Sequence, residues 1–147
     1  DRAEGDAVLN EDVRQGYEQW AATYDEVAHS TRDFDADISR QVMEDRIGGR
    51  VLELGCGTGK NTRWLAKRAQ QLVACDFSLA MLARAKERMP GVEFHLCDMR
   101  GEWPVDEVDV VVVDLVLEHV EHLRPVFVQA KNKLAAGGML FICALIV

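Results

Sequence analysis

The chain contains few of the residues that cross-link or interrupt a fold. Its 147 residues include four cysteines and three prolines, and no two cysteines have the Cys-x-x-Cys spacing of a zinc or redox site. We therefore expect reduced thiols and no metal. No window reaches the ~18 apolar residues that a membrane-spanning helix needs, and residues 1–12 are acidic, unlike a secretory signal. These absences predict a soluble, cytoplasmic protein with no membrane partner.

Positive charge is also scarce. The formal net charge is −8, and no basic face of the kind that binds nucleic-acid phosphates is visible. We therefore expect no nucleic-acid partner and a small or cationic ligand instead. Because 48% of the 147 residues are hydrophobic, the chain is large and apolar enough for one domain with a real core.

The most informative stretch is a glycine-rich turn after the apolar run 51–54. Gly55, Gly57 and Gly59 alternate with other residues, and a helix is predicted to follow. Glycine permits positive φ angles and lets the backbone lie against a ligand, while the first turn of a helix presents N–H groups without intrahelical partners. The pattern predicts a pocket for a nucleotide-sized ligand.

Three kinds of nucleotide-binding loop have to be distinguished. A P-loop needs four residues between its first glycine and the Gly-Lys pair, followed by Ser or Thr, but here three residues separate Gly55 from Gly59-Lys60, and Asn61 follows. A dinucleotide-binding Gly-x-Gly-x-x-Gly would need glycine in place of Lys60. The pattern that remains is acidic-x-Gly-x-Gly-x-Gly, beginning at Glu53.

Apolar runs alternate with helical patterns along the rest of the chain. Strands are predicted at about 50–54, 72–75, 92–96, 108–113 and 139–147, with helices at about 60–70, after the N-cap Ser78 as far as Pro90, and from Pro125 to a glycine cap at Gly137-Gly138. This alternation predicts an α/β fold with a doubly wound, mostly parallel sheet. Residues 1–48 are predicted to form a helical cap of the same domain, and residues 49–147 its ligand-binding core.

Acidic residues recur at the predicted strand ends. Glu53 lies near the end of the first strand, Asp76 follows the second and Asp98 follows the third. Ligands of doubly wound sheets bind at the carboxyl ends of the strands. An acid about 20 residues after a glycine loop suits a ribose diol, because a carboxylate can accept both hydroxyl hydrogen bonds. Asp76 is therefore the predicted ribose-binding residue.

Several of these segments together resemble one family. The glycine loop, Cys75-Asp76-Phe77-Ser78, Cys97-Asp98-Met99 and the run 115–120 are similar to the motifs of the class I, Rossmann-like methyltransferases that depend on S-adenosylmethionine (SAM). The resemblance covers about residues 50–147, and residues 17–25 are similar to the family's cap motif. It implies the fold described above and a small-molecule methyltransferase that uses SAM and releases S-adenosylhomocysteine.

The resemblance also implies roles for individual residues. The glycines line the methionine portion, and Glu53 either orders the loop or reaches the amino group of SAM through water. Asp76 binds the ribose, Phe77 packs on adenine, and Asp98 with the Met99 backbone reads the adenine amino edge. The complete implied set of cofactor-binding residues is Glu53, Gly55, Cys56, Gly57, Gly59, Asp76, Phe77, Asp98, Met99, Leu115, Tyr24 and Arg32.

Methyl transfer requires few catalytic side chains from the protein. A sulfonium donor needs no phosphate-binding group, and in-line displacement is accelerated mainly by alignment and exclusion of water. A base is needed only if the acceptor must lose a proton, and Asp114 and His119 are the candidate catalytic residues. Asp114 differs from the small or neutral residue expected after strand four, which suggests a part in acceptor choice. His119 and His122 lie on a polar turn, which we interpret as solvated sequence without a metal.

Two questions remain open at this stage. In the family, the core continues beyond strand five through a helix and a hairpin, whereas this sequence stops at Val147, so the fifth strand is left with an apolar edge. A fragment is the favoured interpretation, and a homo-oligomer that covers this edge is the alternative. The expected acceptor is a small-molecule oxygen, nitrogen or carbon nucleophile. The competing functions are a non-catalytic module that binds SAM or S-adenosylhomocysteine and, less favoured, an NAD-linked oxidoreductase.

Overall fold

The structure is a computed structural model that describes residues 40–116 and 123–145, with the side chains of 115, 116 and 143–145 left undescribed. Its strands are β1 (Arg50–Leu54), β2 (Gln71–Asp76), β3 (Glu93–Leu96), β4 (Val108–Val116) and β5 (Leu134–Leu145). Its helices are α1 (Lys60–Ala66), α2 (Leu79–Arg88) and α3 (Leu123–Lys133). Residues 40–43 are helical as well. The predicted cap lies mostly outside the described residues.

The five strands form one parallel sheet in the order β3-β2-β1-β4-β5. The predicted doubly wound sheet is therefore confirmed. The chain first moves outward from β1 to β3 and then returns to the other side of β1 through β4. The strand order thus reverses between β1 and β4, and in doubly wound sheets ligands bind at the carboxyl ends of the strands at such a reversal.

Each face of the sheet has its own apolar core, because alternate side chains of a strand point to opposite faces. Val51, Val110 and Val112 lie on the face that packs against Leu65 of α1 and Met43. The opposite face, which carries Leu52, Leu54, Val111 and Val113, packs against Val126 and Ala130 of α3. Burial on both faces explains why the central strands are almost continuously apolar.

Helix α2 begins and ends where the sequence predicts. The Ser78 hydroxyl accepts a hydrogen bond from the Met81 N–H at 3.3 Å and so caps the first turn. Met81, Leu82 and Ala85 are buried on one face of the helix. The helix ends at Arg88, just before Pro90.

The junction between α3 and β5 differs from the prediction. Helix α3 ends at Lys133, and β5 already begins at Leu134, so Gly137 and Gly138 belong to the strand and do not cap the helix. A register shift in the β4–β5 pairing accommodates them. A Cβ at Gly138 would lie 2.9 Å from the carbonyl oxygen of Asp109, so the glycine permits close approach of two strands.

Two side chains of this region also have unexpected environments. Phe127 of α3 is 51% exposed, whereas its neighbour Val126 is buried. Trp103 lies in the loop before β4, outside every predicted helix and strand, yet it is 1% exposed and packs in the core with residues of α3. Its indole N–H donates to the Met99 carbonyl at 2.8 Å, which satisfies its polar group in the core.

Candidate functional site

The loop between β1 and α1 has the backbone that its glycines predict. Gly55, Gly57 and Gly59 have φ angles of 77°, 56° and 92°, all in the left-handed region. Space is restricted as well: a Cβ at Gly55 would lie 2.6 Å from the carbonyl oxygen of Asp114, and one at Gly59 would overlap the methyl group of Met89. The loop therefore requires glycine for its conformation and for its close packing against β4 and α2.

Asp76 fastens this loop to the end of β2. One carboxylate oxygen accepts the Gly57 N–H at 2.9 Å, and the other accepts the Ser78 N–H at 3.0 Å. The side chain is buried, with the residue only 6% exposed. Because each oxygen of a carboxylate can accept a second hydrogen bond, these two contacts are compatible with further donors from a ligand.

A second set of contacts holds the loop from below. The N–H groups of Gly55 and Cys56 both donate to the Cys75 carbonyl, at 2.8 and 2.9 Å. Cys56 is buried, and burial raises the pKa of its thiol, so it acts as a packed apolar residue. The described cysteines are Cys56, Cys75 and Cys97, and all three are free.

Glu53 lies directly beneath the loop and is completely buried. The Thr62 hydroxyl, from the first turn of α1, donates a short hydrogen bond to Oε1 of Glu53. Burial raises the pKa of the Glu53 carboxyl well above its ordinary value, and the negative charge of Asp114 raises it further. Glu53 thus joins β1 to α1 beneath the loop.

Asp98 occupies a more exposed position at the same edge of the sheet. The Cys97 N–H donates to the Asp76 carbonyl at 2.9 Å, so Asp98 follows immediately beside the end of β2. Its carboxylate forms an ion pair with Arg100, with a shortest distance of 2.7 Å, and also accepts the Arg100 N–H at 3.0 Å. The structure therefore brings the predicted ribose and adenine residues to neighbouring strand ends, as parallel pairing requires.

Other predicted site residues are only partly described. Phe77 is partly buried between Asp76 and Ser78, and for Leu115 only the backbone within β4 is described. The candidate base His119 lies outside the described residues, as do Tyr24 and Arg32. Within residues 40–116 and 123–145, no group of three or more His, Cys, Asp or Glu side chains could hold a metal ion, and no helix is long and apolar enough to cross a membrane.

Sequence reasoning missed two polar contacts that shape the site. Thr62 was not singled out as the partner of Glu53, although a hydroxyl on the inner face of a helix after an acidic strand is a usable signal. Arg100 lies outside the predicted elements, and the Asp-x-Arg spacing allows its side chain to fold back on Asp98. Both contacts hold acids at the strand ends in fixed positions.

Comparison with known proteins identifies this architecture. The family model described as a methyltransferase domain matches residues 52–142, more than half of the chain. The chain belongs to the methyltransferase domain family. The matched residues begin in β1 and end within β5, so the glycine loop and the acids at the strand ends all lie within the methyltransferase domain.

Curated relatives and a solved structure agree with this assignment. The methyltransferase domain is 36% identical over 92 residues to trans-aconitate 2-methyltransferase of Acidovorax sp. (strain JS42), which is 61% of this chain and 36% of the relative. It is 37% identical over 112 residues to the enzyme of the same name from Mycobacterium tuberculosis (strain ATCC 25177 / H37Ra), which is 75% of this chain and 41% of the relative. The chain thus matches less than half of either relative's length.

The solved DhpI-SAM-HEP complex superposes with a TM-score of 0.80 at 29% identity, covering 91% of this chain and 64% of the other. This likeness extends over nearly the whole chain, and it confirms the predicted Rossmann-like methyltransferase fold.

Proposed function

We propose that the chain is the donor-binding part of an enzyme that transfers a methyl group from SAM to a small-molecule oxygen, nitrogen or carbon nucleophile. The observation that carries the proposal is the buried Asp76 carboxylate, held between the N–H groups of Gly57 and Ser78 at the carboxyl end of β2. Family membership and the SAM named in the DhpI complex support the same donor. Both curated relatives described above are named for a small-molecule acceptor.

The residues present fit each part of the donor. Asp76 would accept the ribose hydroxyls, because a buried carboxylate is suited to two adjacent donors. The glycine loop would lie along the methionine portion, where its lack of side chains permits backbone contact. Phe77, Asp98 and the Met99 backbone would bind adenine at the ends of β2 and β3.

The chain's own contribution to the reaction is binding, alignment and exclusion of water. When bound, SAM supplies a methyl group activated by a sulfonium. The loop and the acids at the strand ends are held by the hydrogen bonds described above, so the site is organised before the donor arrives. Such preorganisation lowers the barrier of an in-line transfer by fixing the reacting atoms in line. Asp114 and His119 stay candidates for removing a proton if the acceptor must lose one.

The decisive experiment measures donor binding and methyl transfer on the same protein. Calorimetric titration with S-adenosylhomocysteine should show one site, and methyl-labelled SAM should label a small molecule from an extract. Product binding without transfer to any acceptor would favour the non-catalytic binding module over the enzyme. Binding of NADH with no response to either sulfur compound would refute the proposal.

The remaining predictions about the protein's surroundings and organisation form part of this proposal. They are a cytoplasmic location, no nucleic-acid or membrane partner, and a helical cap at residues 1–48 that packs on a core of residues 49–147. Association of two copies through the edge of β5 stays the alternative to a longer chain. Sedimentation of the purified protein would distinguish a monomer from such a dimer.

A further inference from the structure

Residues 97–107, which connect β3 to β4, form neither helix nor strand, yet hydrogen bonds hold them firmly against α3. The Lys133 ammonium at the end of α3 donates to the Glu102 carboxylate at 2.6 Å and to the Val105 carbonyl at 2.7 Å. Between these two acceptors lies Trp103, whose side chain is buried in the core. The middle of the connection is therefore anchored by packing, and the residues on either side of it are tied to α3.

The indole of Trp103 holds one peptide unit of this connection. Its N–H donates to the Met99 carbonyl at 2.8 Å. The other end of the same peptide is the Arg100 N–H, which donates to Oδ1 of Asp98 at 3.0 Å. Because a peptide unit is planar, its carbonyl and its N–H turn together. The hydrogen bond from Trp103 therefore fixes the direction of an N–H group that the Asp98 carboxylate accepts.

The Asp98 carboxylate lies near the surface, and Arg100 contacts it in two ways. The guanidinium forms an ion pair with it at 2.7 Å, and the backbone N–H donates to it. Ion pairs near the surface hold a side chain weakly, because water screens them and both side chains lose freedom. The backbone N–H, in contrast, belongs to the peptide that Trp103 holds from the core. Trp103 thus acts on the direction of Asp98 although its own side chain is buried.

This arrangement concerns the edge at which the base of the proposed donor would bind. Asp98 and the Met99 backbone are the groups proposed above to bind adenine, and the hydrogen bond from the Cys97 N–H to the Asp76 carbonyl places them beside the end of β2. A polar group discriminates between ligands best when its neighbours hold it in the required direction before binding. A carboxylate that turned freely would lose that freedom on binding and could turn away from an unsuitable base.

We propose that Trp103 is a positioning residue for recognition of the base, acting on Asp98 through the peptide between Met99 and Arg100. The inference rests on the proposed function, because the base is that of the SAM donor. Asp98 accepts a hydrogen bond from the exocyclic amino group of the base, and Trp103 sets the direction in which it does so. Removal of the indole N–H should therefore weaken discrimination between bases and spare the binding of the rest of the donor.

The test compares S-adenosylhomocysteine with S-inosylhomocysteine, in which an oxo group replaces the amino group of the base. Calorimetry gives the affinity of each compound for the wild type and for Trp103→Phe, which keeps an aromatic ring without an N–H. The wild type should prefer the adenine compound by about 10- to 100-fold, the range of a hydrogen bond to a charged group. Trp103→Phe should reduce this preference by about 3- to 10-fold, the range of one neutral hydrogen bond, and should leave the affinity for the inosine compound unchanged.

Two further proteins separate this effect from a loss of packing. Benzothienylalanine incorporated at position 103 keeps the bicyclic shape and removes only the N–H, so the protein should fold like the wild type and lose base preference as Trp103→Phe does. Val126→Ala is the matched control, because Val126 packs in the same core cluster and donates nothing to Met99. This variant should be less stable than the wild type and should keep the full preference.

An Asp98→Ala background shows whether Trp103 acts through Asp98. The substitution should remove most of the preference by itself, and loss of the indole N–H should then lower it no further. Equal reductions with and without Asp98 would overturn the proposal. So would an unchanged preference in the benzothienylalanine protein, an equal loss in Val126→Ala, or a wild type that binds both compounds alike. In all these results donor binding stands, whereas a wild type that binds neither compound would overturn the proposed function and this inference with it.

Discussion

Replacement of Asp76 by alanine should damage the fold as well as the donor site. The substitution removes the acceptor of two backbone N–H groups, those of Gly57 and Ser78, at a residue that is only 6% exposed. A buried donor left unsatisfied costs about 1–3 kcal/mol, so the free energy of unfolding should fall by about 2–6 kcal/mol. This is a large part of the 5–15 kcal/mol that stabilises a typical domain.

Urea denaturation followed by circular dichroism measures this loss, and calorimetry at a temperature where the variant is folded measures the affinity for S-adenosylhomocysteine. Asp98→Ala is the matched control, because Asp98 is exposed and its ion pair with Arg100 should contribute less than about 1 kcal/mol to stability. A loss of stability in Asp76→Ala no larger than that of Asp98→Ala would refute the anchoring role. Unchanged affinity for S-adenosylhomocysteine would refute the ribose role.

Three further outcomes follow from the geometry of the site and of the sheet. Gly57→Val should bind no S-adenosylhomocysteine and should lose about 1–3 kcal/mol of stability, because a branched residue is strained at a φ of 56°. If the variant unfolds and binds normally, the loop is not the pocket. Because burial raises the pKa of Glu53, the free energy of unfolding of the wild type should fall as the pH rises above the ordinary glutamate pKa of about 4.3. Urea titrations from pH 4 to 8 should show a smaller fall with pH for Glu53→Gln. Equal falls in the two proteins would contradict a proton on Glu53. The hydrogen bonds from Arg50 lower the pKa of Asp109, so their stabilisation is present above about pH 3.9 and is lost as the pH falls through the lower native pKa. The free energy of unfolding of Asp109→Asn should therefore decrease less at acid pH than that of the wild type.

The sequence was sufficient for the order of the elements and for most of the donor site. The strands around Leu52, Ala74 and Val111 are apolar runs whose burial on both faces is a local pattern, so their type is readable without the fold. The glycines of the loop were equally readable, because a left-handed backbone at every second position restricts the residue type itself. Once a parallel sheet is predicted, the acids after β2 and β3 must lie at one edge.

Contacts between distant segments could not be read in this way. Phe127 is exposed and its neighbour Val126 is buried, because a helical pattern alone does not show which of two adjacent apolar residues faces the sheet. Trp103 lies outside the helices and strands, as predicted, yet its side chain is buried because α3 packs against it. Gly138 was interpreted as a helix cap, whereas its role depends on the close approach of β4 to β5. In each case the deciding neighbour is remote in the chain.

By itself, the amino-acid sequence determined an α/β domain with a glycine loop and acids that point to an adenosine-bearing methyl donor. Only the tertiary structure showed what holds these acids. It places Asp76 as the anchor of the loop and buries Glu53, which accepts a hydrogen bond from the Thr62 hydroxyl. The physical reason is that protonation and hydrogen bonding depend on burial and on neighbours supplied by other strands. The periodicity and spacing of residues within one segment show neither the burial of a side chain nor its neighbours from other strands.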